Sequence, residues 1–183
     1  MLWLIILGAV VAVVVLWLVF TYNGLVTIKN EVDNAWAQID VQLKRRFDLI
    51  PNLIESVKGY MKHEKEVLEN ITKARAAVME AKTVDKKAEA SNMLSSTLKS
   101  LFAVAENYPK LQANENFMQL QEELAGTENK IAYSRQHYND SVMRYNTTIQ
   151  LFPTNIIAGM LTFVKKDFFT APDEEKQNVK VKF

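Results

Sequence analysis

The chain opens on an unbroken apolar run. Met1 to Phe20 reads MLWLIILGAVVAVVVLWLVF, without one charged or amide side chain. About 20 such residues rise about 30 Å as a helix, the thickness of a bilayer's hydrocarbon core. Trp3, Trp17 and Tyr22 stand near the ends of the run, where rings with a polar edge favour the membrane interface. A cleaved signal peptide is the competing reading, and it fits poorly. No basic residue precedes the run, the run is longer than a typical signal's apolar region, and the residues after Phe20 offer no pair of small residues for cleavage. An uncleaved anchor over residues 1–22 is therefore expected. Basic residues follow it and none precedes it, with Lys29 nearest and Lys44, Arg45 and Arg46 further on. That asymmetry puts the amino terminus outside and the remainder in the cytoplasm.

Beyond the anchor, apolar residues fall in steps of three and four. Leu25, Ile28, Val32, Ala35 with Trp36, Ile39 and Leu43 continue through Phe47, Ile50, Ile54, Val57 and Met61, the spacing of one helix face. The four-residue step from Leu43 to Phe47 is an extra one and reads as a stutter. Pro51 lies inside the stretch, removes a backbone donor and crowds the preceding turn, so a kink or break is expected around Ile50. The stripe resumes with Leu68, Ile71, Ala74, Val78 and Ala81. Thr83 or Asp85 can cap the next helix, which carries Met93, Leu94, Leu98, Leu101, Phe102 and Ala105 and falters before Pro109. Phe117, Leu120, Leu124, Thr127, Ile131, Ser134, Tyr138, Val142, Tyr145 and Ile149 mark a last long helix of near-heptad spacing. No comparable stretch alternates with period two. The expected fold is all-α, the anchor followed over residues 23–152 by a coiled-coil-like antiparallel bundle of three or four long helices.

Residues 153–183 differ in character. Thr154 can cap a short helix with Ile156, Ile157, Met160 and Leu161, and Phe163, Val164, Phe168 and Phe169 follow. The closing stretch from Asn178 to Phe183 alternates and can be extended. So apolar a tail must fold onto the bundle, dock on the bilayer or meet a neighbouring subunit.

Little in the chain resembles catalytic machinery. Without cysteine there are no disulfides, thiol nucleophiles or zinc knuckles. The two histidines, His63 and His137, are too few for a His-rich metal site. His63-Glu64 begins like a zinc-protease helix, but the residue one turn on is Val67, so the second ligand is missing. Ser134 and His137 form a surface-type pair with no third partner. The five glycines are isolated, so no phosphate loop exists. No catalytic, cofactor or metal residues are assigned. A net charge of +1, with acidic and basic residues interleaved, gives nucleic acid no basic stripe to bind.

One polar segment, WAQIDVQLKRRFDLIPNLIE, stands out from Trp36 to Glu55. Trp36, Gln38, Asp40, Gln42, Lys44, Arg45, Arg46, Asp48 and Asn52 could form an interaction surface, with Arg45 and Arg46 offering charge-assisted bonds to carboxylates or phosphates. The blander alternative is a solvated face with Asp40–Lys44 and Lys44–Asp48 pairs one turn apart, and residue physics alone favours it.

The same residues resemble the signature of bacterial LemA proteins: Ala35-Trp36, Gln38 to Arg46, Asp48 to Leu53 and His63-Glu64. Thr72, Ala74-Arg75-Ala76, Tyr145-Asn146, Phe152 to Ala158 and Val179 to Phe183 extend the match along the whole chain. The resemblance implies a bacterial inner-membrane protein with its amino terminus outside and a cytoplasmic helical bundle. Members of that family are not established enzymes, and no catalytic residue carries over. Family genes often stand beside those of membrane zinc metalloproteases, and relatives belong to systems that shape intracellular membranes. The expected function is a non-enzymatic scaffold that self-associates as a homo-oligomer on the bilayer. An adaptor of a membrane zinc metalloprotease is the alternative, and an enzyme with an unrecognised site around His63, Glu64 and Glu66 is the third.

Overall fold

In the computed structural model, residues 1–61 and 63–170 are described. The apolar run does not end in a loop. It is the start of α1, a helix of 57 residues from Leu2 to Lys58. After it come α2 (Lys65–Glu80), α3 (Val84–Ala105), the single turn α4 (Pro109–Gln112), α5 (Glu115–Thr148) and the short α6 (Thr154–Met160). No β-strand occurs among the described residues, and the fold is the expected helical bundle. The alternating stretch from Asn178 to Phe183 lies outside the described residues.

Helix starts follow local chemistry. The Thr83 hydroxyl accepts the Lys86 N–H and caps α3, so Thr83 rather than Asp85 is the cap. Asn114 does the same for α5, its carbonyl oxygen accepting the Phe117 N–H at 3.1 Å. Thr154, expected as a cap, is instead the first residue of α6, with Pro153 before it and no side-chain cap. The Phe152–Pro153 bond is cis.

Of the kink or break expected around Ile50, the break does not occur, and α1 passes through Pro51. Proline cannot donate to the carbonyl four residues earlier, which is that of Phe47. Arg75 of α2 supplies the missing donor, its Nε reaching the Phe47 oxygen at 3.2 Å. The Arg75 guanidinium also lies 3.6 Å over the centre of the Phe47 ring. The expected stutter at Phe47 is likewise displaced. The buried line runs Leu43, Arg46, Ile50, Leu53 and Val57, in regular three–four alternation. Phe47 is half-buried under Arg75, and the extra four-residue step falls between Ala35 and Leu43.

The chain packs as two units. Among the described residues, one joins Met1–Ala37 with His137–Asp167 and the other joins Gln38–Gln136 with Phe168–Thr170. In the second unit the core is one cluster fed by α1, α2, α3 and α5, with Leu111 of the single turn α4 joining it. Ile50, Leu53 and Val57 of α1 meet Ile71, Ala74 and Val78 of α2, Leu94, Leu98 and Leu101 of α3, and Phe117 and Leu124 of α5. In the first unit, α1 and α5 run antiparallel along Leu25, Ile28, Val32 and Ala35 on one side and Tyr138, Val142, Tyr145 and Ile149 on the other. Every residue from Met1 to Phe20 is exposed. That stretch is long and apolar enough to cross a membrane.

Candidate functional site

The most unusual environment in the second unit surrounds Arg46. Its seam position, three residues after Leu43 and four before Ile50, aims the side chain inward, and it is fully buried. The guanidinium Nη1 donates to Ser95 Oγ at 2.8 Å and to Glu128 Oε1. Nη2 donates to Ser91 Oγ at 2.9 Å and to the Ser91 carbonyl at 3.3 Å. Ser95 in turn donates to Glu128 Oε2 at 2.8 Å. Three helices, α1, α3 and α5, are thereby tied through one charge. Among the described residues, Arg46 Nε and Gln42 Oε1, one turn apart on α1, have no hydrogen-bond partner.

The arrangement suits positioning rather than turnover. Both serines face a cation, and Glu128, which accepts from Ser95 through one oxygen, is held by the Arg46 guanidinium through the other. What such a network provides is register, because a desolvated charge tolerates only the helix alignment that supplies its partners.

The other residues of the polar segment separate by environment. Asp40 does not pair with Lys44; it accepts from Lys87 of α3 at 2.6 Å. Lys44 and Asp48 pair on the exposed face at 3.1 Å. Arg45 stands 3.9 Å from Glu123 and is half-exposed. Gln38 and Asn52 are exposed, and Gln42 is half-buried. Arg46 therefore leaves the candidate surface, since a fully buried side chain cannot meet a partner. Trp36 belongs to the first unit, where it is half-buried against Tyr138 with ring centres 5.3 Å apart.

That first unit holds a second polar construction. The chain after α6 runs back along α5 and is pinned by α5 side chains. Tyr145 donates to the Val164 carbonyl at 3.0 Å and Tyr138 to the Asp167 carbonyl at 2.9 Å. The Asn146 amide donates to the Lys166 carbonyl and accepts the Lys166 N–H, each at 2.9 Å. Lys166 reaches Asp33 of α1 at 3.1 Å, and Arg144 reaches Glu31 at 3.0 Å. Burial, and then the nearby Asp33 charge, hold the Tyr145 phenol above its ordinary pKa. Of the tail residues, Ile157 and Phe169 are buried, Phe163 is half-buried, and Ile156, Met160, Leu161 and Phe168 are exposed. Phe169 lies in the second unit, with the Arg135 guanidinium 4.9 Å above its ring.

Of the other chemical candidates, Glu64 is engaged in a structural contact. His63 is exposed, while Glu64 accepts from Tyr108 at 3.2 Å. Burial, then that hydrogen bond and the carboxylate's charge, raise the Tyr108 pKa. Ser134 is buried and His137 exposed. Among the described residues no group of His, Asp and Glu is placed to hold a metal ion. An apolar hollow of about 350 Å³ lies over Ile54 and Leu68, rimmed by Lys58, Glu69, Thr72 and Lys73, with no nucleophile–base pair in it.

Glu128, Ser91, Ser95 and Arg75 are the residues missed by sequence reasoning. The spacing of Arg46 within the seam was the available signal for the first three. For Arg75 it was the carbonyl that Pro51 must orphan.

Comparison with known proteins gives a consistent result. The LemA family profile matches residues 35–183. The chain is similar to Protein LemA of Metamycoplasma hominis, with 30% identity over 86% of this chain and 72% of that protein. It is also similar to Magnetosome protein MamQ 2 of Paramagnetospirillum magneticum, at 23% identity, and to Magnetosome protein MamQ of Magnetospirillum gryphiswaldense, at 22%. Both matches cover 83% of this chain and 65% of the relative, so the chain spans under two thirds of those magnetosome proteins.

Proposed function

The chain belongs to the LemA family, and on that premise we propose that it is a non-enzymatic, membrane-anchored scaffold that self-associates and organises the membrane or its proteins. The observation that carries this reading is α1 itself. Its residues from Leu2 to Phe20 are apolar and exposed, and the same helix continues without a break into the bundle. Such a helix joins the apolar run to the helical domain with no intervening loop. The polar side chains facing the helix seams are engaged in internal pairs, Arg46 with Glu128 and Asp40 with Lys87, which supports structure over turnover.

In this reading residues 1–22 are the anchor, 23–152 the helical domain and 153–183 the tail. Lys29 directly after the span supports a cytoplasmic helical domain and a bacterial inner-membrane location. Light scattering on full-length protein in mild detergent tests the scaffold. A discrete mass of several subunits is expected, and a monomer at every concentration would overturn it. An adaptor of a membrane zinc metalloprotease is the alternative, and Arg45, Lys44 and Asp48 are the charged contacts it would use.

A further inference from the structure

The turn that closes α5 leaves apolar side chains bare. Leu151, Phe152, Ile156, Met160 and Leu161 are exposed, Phe152 at 81% and Met160 at 78%. Ile157 and Ala158, in the same turn, are buried and hold it on its unit. The segment is therefore amphipathic across its own width, with one side docked and the other unpartnered. A contiguous apolar face of this kind on a short element marks a contact with something other than water.

Its position says what that contact is. Within the first unit, Trp36 packs on Tyr138 and Glu31 pairs with Arg144, so numbers fall along α1 as they rise along α5. One-for-one continuation of that register brings Leu151 and Phe152 level with about Asn23 and Gly24. Burial agrees. Leu25 is 1% exposed, whereas every residue from Met1 to Phe20 is exposed. The cover of α1 thus stops within about a turn of the apolar run. At 1.5 Å per residue, Gly24 lies about 6 Å beyond Phe20. The headgroup layer beyond each face of the hydrocarbon core is about 5–8 Å thick. The bare turn stands at headgroup depth, level with Tyr22, itself exposed.

We propose that Leu151, Phe152, Ile156, Met160 and Leu161 are seated in the interface of the same bilayer that α1 crosses, forming a second, monotopic lipid contact. The inference rests on the reading of residues 1–20 as a membrane span. One spanning helix leaves a protein free to rotate and tilt about its axis. A second contact beside the exit point removes both freedoms, and it fixes which face of the first unit looks along the membrane. Aromatic and aliphatic side chains on one face of a short element suit this depth, where burial of about 5–10 Å into the headgroup and acyl boundary is favourable.

The chain has no cysteine, so single cysteines can carry an environment-sensitive fluorophore. Full-length Phe152→Cys and Met160→Cys proteins would be labelled and reconstituted into phosphatidylcholine–phosphatidylglycerol vesicles. Parallel vesicles would contain acyl chains brominated near the headgroup. Val14→Cys reports the span, and Met143→Cys, exposed on α5 about a dozen residues' rise from Phe20 in the same register, reports water. The expected result is blue-shifted emission at positions 152 and 160, quenched by brominated lipid well beyond the level at 143. Labels at 152 and 160 that behave like 143, while 14 is quenched, overturn the lipid contact and leave the span standing. Blue-shifted labels that brominated lipid does not quench place protein over the patch, a second copy, and also overturn it. An unquenched label at 14 removes the span and this inference together.

Discussion

A guanidinium shut off from water must find its compensation in the residues around it. Arg46 finds it in Ser91, Ser95 and Glu128, and neighbouring Arg45 needs no such help because it is half-exposed. The two arginines should answer the same substitution differently. Arg46→Glu sets a second carboxylate against Glu128 without water and should cost about 3–5 kcal/mol. Arg45→Glu, screened by solvent, should cost less than about 1 kcal/mol. Urea melts followed by circular dichroism compare them, and equal effects would contradict the burial of Arg46. Tyr145 gives a pH signature. Its pKa is raised in the fold, so the proton is held more tightly folded than unfolded. Its contribution is full below the ordinary tyrosine value and is lost as pH rises past it. Tyr145→Phe should lose about 1 kcal/mol at neutral pH, by removing the bond to Val164, and show a shallower loss above about pH 10 than the parent. Thermal melts from neutral to alkaline pH read both effects. The seam spacing of Arg46 was legible in the sequence, but its residue type argued for the surface. Once it is placed outward, its serine and glutamate partners have no reason to be noticed.

Element by element, helix periodicity was legible because it repeats, and interruptions were not, because a neighbour can cancel them. Phe117, Leu124, Thr127, Ile131, Ser134, Tyr138, Val142, Tyr145 and Ile149 are all buried along α5, and Leu120 is partly so. A repeated pattern leaves little room for a different register. Pro51 is the opposite case. Its local effect is certain, since one donor is lost, but Arg75 sits 24 residues away in sequence and restores a partner to Phe47. Nothing local announces that repair. A double-mutant cycle measures it. Arg75→Ala should cost about 1–3 kcal/mol by orphaning the Phe47 carbonyl. In a Pro51→Ala background the backbone N–H returns to that carbonyl, and the cost of Arg75→Ala should fall measurably. Strict additivity in urea melts would show that Arg75 contributes only through the Phe47 ring.

At the scale of the molecule the two units rest on different foundations. The second has four long helices and the single turn α4 feeding one apolar cluster, from Ile50 and Val57 through Leu94 and Leu101 to Leu124. The first has a single two-helix seam, closed by a return segment that Tyr138, Tyr145 and Asn146 hold through hydrogen bonds. That division was not legible in the sequence. The apolar stripe of α1 reads continuously through Ala35 and Ile39, and only the pairing of distant segments shows which partners each stretch has. A seam with few apolar neighbours opens at lower free energy than a core fed by several helices. Hydrogen exchange on full-length protein in detergent should therefore find the slowest amides around Leu53, Leu98 and Leu124. Those around Val32 and Val142 should exchange sooner. If the turn from Leu151 to Leu161 rests on lipid, transfer to vesicles adds apolar cover to the weaker unit alone. Protection around Tyr145 to Ala158 should then rise between detergent and bilayer, while that around Leu98 stays unchanged. Equal protection of both units in detergent would mean that the two-helix seam opens only with the core. A rise confined to the vesicles would tie its stability to the membrane it stands on.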